Sequence, residues 1–259
     1  MAYIRIRLFW LLSVLLLAPL SFADEAKYLS VAYIKSTASD FVEFERNNWV
    51  DVHRELVKRD QKVSWLLYRV KFNGVESKYD YVRLNVLQEW QKVEYPYANL
   101  DSVIKKIKPD LDVADFYRQT DSRRQVVGNV LYQLLGQSTI SDKPAKYIVI
   151  NEMKAVDGHA SRYRELELEY FKPFHSQRIK AGVMNNWQFY ARAFPFGSRY
   201  DSDYVTLNGF DTWEDIMKNN PPDIWKNTHG DLDFNAVHDD ILSKRDTVNI
   251  EIWELVAHL

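Results

Sequence analysis

The sequence predicts an α+β protein in which one β-α-β-β-α-β unit is written twice. Two observations carry this: residues recur in order at a shift of about 120 positions, and in each half the hydrophobic periodicity switches between strand-like and helix-like in the same order. A third bounds it. With 259 residues, 46% of them hydrophobic, and a formal net charge of -2, the chain has the material for an ordinary folded core. It carries no general attraction for nucleic acid or an anionic membrane. It contains no cysteine, which excludes thiol nucleophiles, redox Cys pairs, iron–sulfur sites and zinc knuckles.

The elements follow in chain order. Arg5 and Arg7 precede an apolar run from Leu8 to Ala18, then Pro19 and the small residues of Ser21-Phe22-Ala23, the pattern of a secretory signal over 1–23. The run is too short for a spanning helix, which needs about 20 apolar residues. Export without cysteines suits a bacterial periplasm, so the chain is expected to be secreted and periplasmic, with no stable membrane insertion after cleavage.

Residues 24–137 form the first expected unit, 138–145 a linker containing Ser, Thr, Asp and Pro, and 146–259 the second. Tyr28 to Ile34 alternates like a strand. Phe41, Phe44, Asn48, Val52 and Leu56 mark a helical stripe, which returns as Tyr163, Leu166, Tyr170 and Phe174. Trp65 to Phe72 and Asp80 to Val86 read as strands joined at Asn73-Gly74, and Asn186 to Phe194 with Asp203 to Phe210 repeat them around Gly197. Helical regions run from Trp90 to Ile107 and from Trp213 to Trp225. Closing strands run from Val126 to Leu135 and from Thr247 to Val256. The recurrences include Lys35 with Lys154, His53 with His175, Asp80 with Asp203, and Asp110-Leu111-Asp112 with Asp231-Leu232-Asp233. This order is the ferredoxin-like split βαβ arrangement, an antiparallel sheet with helices on one face.

Two such units in tandem, each with Glu-x7-His on its first helix and Trp-x-x-Tyr on the next strand, resemble the dimeric α+β barrel superfamily fused into one chain. The superfamily includes the antibiotic-biosynthesis monooxygenase, EthD-like, NIPSNAP-like and stress-responsive barrel families, and no single one is matched. The resemblance implies an intrachain α+β barrel, in which the open sheet faces pack together and ligands sit between a sheet and its own helices. Fusion also makes an obligate homodimer less necessary, so a monomer with pseudo-twofold symmetry or a weak homo-oligomer is expected.

Glu45 and His53 lie on one expected helical stripe, and Glu167 and His175 repeat the pair. A histidine base oriented by a carboxylate suits proton abstraction beside a carbonyl or a phenol. The i to i+8 spacing nevertheless spans about 12 Å, too far for a direct bond. Trp65 and Trp187 with Tyr68 and Tyr190 are candidate ligand-binding residues, although residues three apart on a strand face opposite sides. Asn85 and Asn208 sit mid-strand, where Asn is disfavoured, and suggest a ligand contact or a hydrogen bond to a loop. Arg124 and Arg245 either bind an anionic group or pair with the repeated Asp-Leu-Asp, whose aspartates are expected to cap the helix that begins there.

No nucleotide-binding glycine loop, Gly-x-Ser-x-Gly elbow or His-Glu-x-x-His occurs, and no metal site is expected. The expected function is binding of a small, partly apolar or aromatic molecule, with cofactor-independent oxygenation, isomerisation or cyclisation on a His53 or His175 base. A non-catalytic binding or structural module is the alternative. The resemblance adds haem as a further one, since haem-degrading members combine a helical His, a Trp and an Asn, in the order Asn, Trp, His rather than the His, Trp, Asn found here.

Overall fold

A computed structural model describes residues 27–74, 77–139, 143–218 and 223–259. The expected signal segment lies outside the described residues. No helix among the described residues is long and apolar enough to cross a membrane.

The first half runs β1 (Tyr28–Ser36), α1 (Phe41–Phe44, a π-helical turn Glu45–Trp49, then Val50–Lys58), β2 (Ser64–Val70), β3 (Tyr81–Leu87), α2 (Trp90–Glu94), α3 (Leu100–Ile107), α4 (Val113–Asp121) and β4 (Arg124–Thr139). The second half repeats the order as β5 (Tyr147–Ala155), α5 (Ala160–Leu166, a π-helical turn Glu167–Phe171, then Lys172–Lys180), β6 (Asn186–Phe194), β7 (Tyr204–Phe210), α6 (Trp213–Met217), α7 (Ile224–His229), α8 (Phe234–Leu242) and β8 (Arg245–His258).

All pairings are antiparallel, in the order β1-β3-β2-β8-β5-β7-β6-β4, and β4 returns to β1, so the eight strands close into a barrel. The long closing strands make the join: β8 pairs with β5 and with β2 of the other half, and β4 pairs with β1 and with β6. Closure leaves no bare sheet edge. Because β4 continues to Thr139 and pairs Ser138 with Trp187, the first two residues of the expected linker are strand instead. The physical reason is that the strand has a partner in the other half, which local periodicity does not show.

Alternation sorts the side chains onto two faces. Leu29, Val31, Tyr68, Val82, Leu84, Tyr132, Ile150, Tyr190, Leu207 and Trp253 fill the barrel interior. Trp65, Leu67 and Ile34 face α1, while Trp187, Phe189 and Tyr204 face α5. Tyr68 and Tyr190 are therefore removed from the helix-covered face that holds the tryptophans, as the odd spacing predicts.

Repeated polar residues fasten equivalent corners. Lys35 pairs with Asp80 at 2.9 Å and Lys154 with Asp203 at 2.8 Å, and each aspartate also accepts from the end of the neighbouring strand, from Ser36 N or Ala155 N. Asp112 and Asp233 cap α4 and α8 by accepting from Ala114 N and Asn235 N, as expected of them.

Both first helices contain a π turn, in which Val50 N donates to Glu45 O and Lys172 N to Glu167 O. Asp51 occupies the place of Pro173, so the proline is accommodated at the start of Lys172–Lys180 rather than being the cause.

Trp253 is fully buried at the centre of the barrel. Trp253→Ala is expected to lower stability by about 3–5 kcal/mol, measured by urea unfolding, and a loss below about 1 kcal/mol would contradict a packed interior.

Candidate functional site

Two related sites lie between the sheet and the helices, one in each half. Strand pairing sets Trp65 beside Asn85 and Trp187 beside Asn208. The histidine of the covering helix lies nearly flat on the tryptophan: His53 and Trp65 have ring centroids 4.5 Å apart at 20°, and His175 and Trp187 5.2 Å apart at 19°. The structure thus brings together the His, Trp and Asn of each half, from one helix and two strands.

In the first half this space is taken by the chain's own side chains. Lys62 donates to Asn85 Oδ1 at 2.7 Å and stands 3.8 Å above the Tyr97 ring, while Tyr97 Oη donates to the same oxygen at 3.1 Å. Lys62 Nζ is 3.4 Å from His53 Nδ1, and His53 has no exposed surface. Arg124 forms an ion pair with Glu45, and Trp49 Nε1 donates to Thr120. Burial lowers Lys62 to about 8. Burial would raise the Tyr97 hydroxyl, but the charges of Arg83, Lys62 and Arg124 outweigh it and lower the group. His53 Nε2, Trp65 Nε1, Arg83 Nε and Glu45 Oε2 are buried without a hydrogen-bond partner.

The second half opens onto a cavity of about 370 Å³. Phe171, Phe174, Trp187 and Phe234 supply its aromatic walls, and Glu167, His175, Arg178, Asn208, His238 and Arg245 its polar groups. Position by position, the differences explain the opening. Met184 stands where the first half has Lys62, so no ammonium crosses to Asn208, which donates instead to Val149 O at 3.2 Å. Tyr163 replaces Phe41 and donates to Glu167 Oε1 at 2.9 Å. Arg245 is turned to Thr247 rather than to the carboxylate. Arg178 replaces Leu56 and donates to His175 Nδ1 at 3.1 Å. The Nε atoms of Arg178 and Arg245 are buried without a partner.

Burial raises the Glu167 carboxyl to about 7, against the Tyr163 hydrogen bond and the Arg245 charge. Burial, then the charge of Arg178, holds His175 well below the ordinary 6.5. Arg178 falls to about 10 through burial.

These contacts correct two expectations and bear on a third. Neither Glu45 nor Glu167 orients a histidine: each stands about two helical turns from it, and the histidines meet Lys62 and Arg178 instead. Arg124 pairs with Glu45 and not with the Asp-Leu-Asp, of which Asp112 caps α4. Tyr68 and Tyr190 line a different cavity, of about 290 Å³ inside the barrel, with Leu29, Leu84 and Leu207. Sequence reasoning also missed Arg178, Tyr163 and His238. The first two are departures from the repeat, at the places of Leu56 and Phe41, so comparison of the halves for differences rather than matches would have found them.

No family model and no curated protein sequence matches the chain. Solved structures do resemble it. A provisionally assigned monooxygenase from Fusobacterium nucleatum superposes with a TM-score of 0.58 at 6% identity, covering 90% of this chain and 94% of that one. Another from Lactobacillus acidophilus gives 0.52 at 9% identity, covering 90% and 96%. A haem-binding protein from Thermus thermophilus gives 0.50 at 10% identity, covering 89% and 91%. At such identities the likeness concerns the fold alone.

The raised Glu167 carboxyl has a consequence for stability. Between pH 4.5 and about 7 the folded chain keeps a proton there that the unfolded chain releases, so stability falls as pH rises through that window. Glu167→Gln retains an acceptor for Tyr163 and removes the loss. The variant is expected to match the parent below pH 4.5 and to exceed it by up to about 3 kcal/mol above pH 7. Urea unfolding across that range checks it, and a pH-independent difference would contradict the raised carboxyl.

Proposed function

We propose that the chain binds one small, partly aromatic molecule in the cavity beside α5, with Glu167 as the proton acceptor of the chemistry done there. The observation that carries this is the asymmetry between the halves: the same His–Trp–Asn face is filled by Lys62 and Tyr97 in one and opens onto an aromatic-walled cavity holding a near-neutral carboxyl in the other. A concave apolar site with a few convergent polar groups and a perturbed acid is the usual form of a small-molecule site. Likeness in fold to provisionally assigned monooxygenases accords with this reading.

The role of base passes from His175 to Glu167. Arginine only donates, so the His175 Nδ1 facing Arg178 must be the accepting nitrogen, and burial and that charge hold the ring neutral and weakly basic. Glu167, at about 7, changes charge where a general base is most effective. Removal of a proton beside a carbonyl or from a phenol begins oxygenations, isomerisations and cyclisations alike. Tyr163 holds one carboxylate oxygen, and Trp187 with Phe171 and Phe174 confines the reacting ring.

Haem fits this site poorly. An imidazole that ligates iron through Nε2 ordinarily donates its Nδ1–H to an acceptor. Here Nδ1 accepts from Arg178, which leaves the proton on Nε2 of His175.

The probe for Glu167 is β-tetralone, whose C–H beside the carbonyl is acidic. Exchange of that hydrogen in heavy water, followed by NMR, is expected to be accelerated by the parent chain with a pH inflection near 7. Glu167→Gln should abolish the acceleration while the ketone still binds. Equal exchange in both chains would remove Glu167 as the base, and binding without exchange in either would favour a non-catalytic binder. We also infer export from the pattern over 1–23. Intact-mass measurement of the chain made in a bacterial host should find a mature product beginning at Asp24, and recovery of the uncut chain from the cytoplasm would contradict export.

A further inference from the structure

We infer that the molecule taken by the second-half cavity is an aromatic carboxylate, or an equally small planar anion, held by Arg178 and Arg245. The inference rests on the reading of this cavity as a small-molecule site and names the class of its ligand.

The two halves supply the argument. Each carries an arginine at the start of its closing strand and a buried glutamate at the start of its π turn. In the first half the two meet, and Glu45 is the anion for Arg124. In the second half Tyr163 has drawn one oxygen of Glu167 to itself, and Arg245 turns to a neutral hydroxyl, that of Thr247. Arg245 Nε is left buried without an acceptor. A second cation is added at the same cavity, since Arg178 stands where the first half has Leu56. Its terminal nitrogen bonds the neutral His175, and its Nε is also buried and unpartnered.

Two guanidinium groups with donors to spare thus face a cavity whose one carboxyl is half-neutralised near pH 7. Buried donors without acceptors are rare, and a carboxylate accepts from guanidinium with charge-assisted bonds. The rest of the wall chooses the body of the ligand. Phe171, Phe174, Trp187 and Phe234 offer ring faces and edges, and Asn208 is a neutral polar contact further along the strand. An aliphatic dianion would leave those rings unused, and a neutral arene would leave both guanidinium groups unanswered.

Isothermal titration of the full chain with 2-naphthoate, and separately with its neutral isostere 2-naphthamide, tests this. The acid is expected to bind at one per chain, at least about tenfold tighter than the amide, with an affinity that falls as salt rises. Arg178→Leu, which installs the residue of the first half, should weaken the acid about tenfold or more and leave the amide nearly unchanged. Arg178→Lys keeps the charge and should weaken the acid less than leucine does, and circular dichroism confirms that both variants fold. Equal affinity for acid and amide, or an Arg178→Leu chain that binds the acid as before, would overturn the ligand class while leaving the cavity a binding site. Binding of neither probe would overturn the small-aromatic reading of the site together with it.

Discussion

Burial of two sheet faces at once is the constraint on which the rest of this structure depends. Each half makes a four-stranded antiparallel sheet with its helices on one side, and the opposite side is too apolar to stay in water. The chain buries both bare faces against each other and pairs β4 and β8 across the join, so that Trp253, Tyr132 and Tyr190 meet inside a closed ring. Apolar side chains dominate the interior, around a cavity of about 290 Å³ lined by Tyr68 and Tyr190. Chemistry is displaced to the outward face, under helices α1 and α5, where short segments and π turns leave room for polar side chains.

The two halves present the same frame and differ in what fills that room. The frame, a histidine lying on a tryptophan beside a mid-strand asparagine, is retained in both halves. Lys62 and Tyr97 fill the first, bonding Asn85 and meeting in a cation–π contact. Four exchanges, Met184 for Lys62, Tyr163 for Phe41, Arg178 for Leu56 and Phe171 for Trp49, empty and recharge the second. A packed site and an open one can thus share one fold.

Much of the fold was legible because it is written locally and twice. The strand alternation from Tyr28, the aspartates that cap α4 and α8, and the opposite facing of Trp65 and Tyr68 all come from spacing. The extension of β4 into the expected linker was not legible, since its partner β6 lies in the other half. The π turns escaped for a different reason: an inserted turn leaves no mark in composition. The site itself was half legible. Repetition pointed to His175, Trp187, Asn208, Glu167 and Arg245, but it weights similarity, whereas Arg178 and Tyr163 matter because they break the repeat.

The most direct test of this account tracks the indole N–H resonances of Trp65 and Trp187 by nitrogen–proton NMR, assigned with Trp65→Phe and Trp187→Phe, while 2-naphthoate is added. The account predicts a saturable shift of the Trp187 resonance alone, with Trp65 unmoved in its filled site. Movement of Trp65, or of neither, would contradict the division of the two halves into a closed site and an open one.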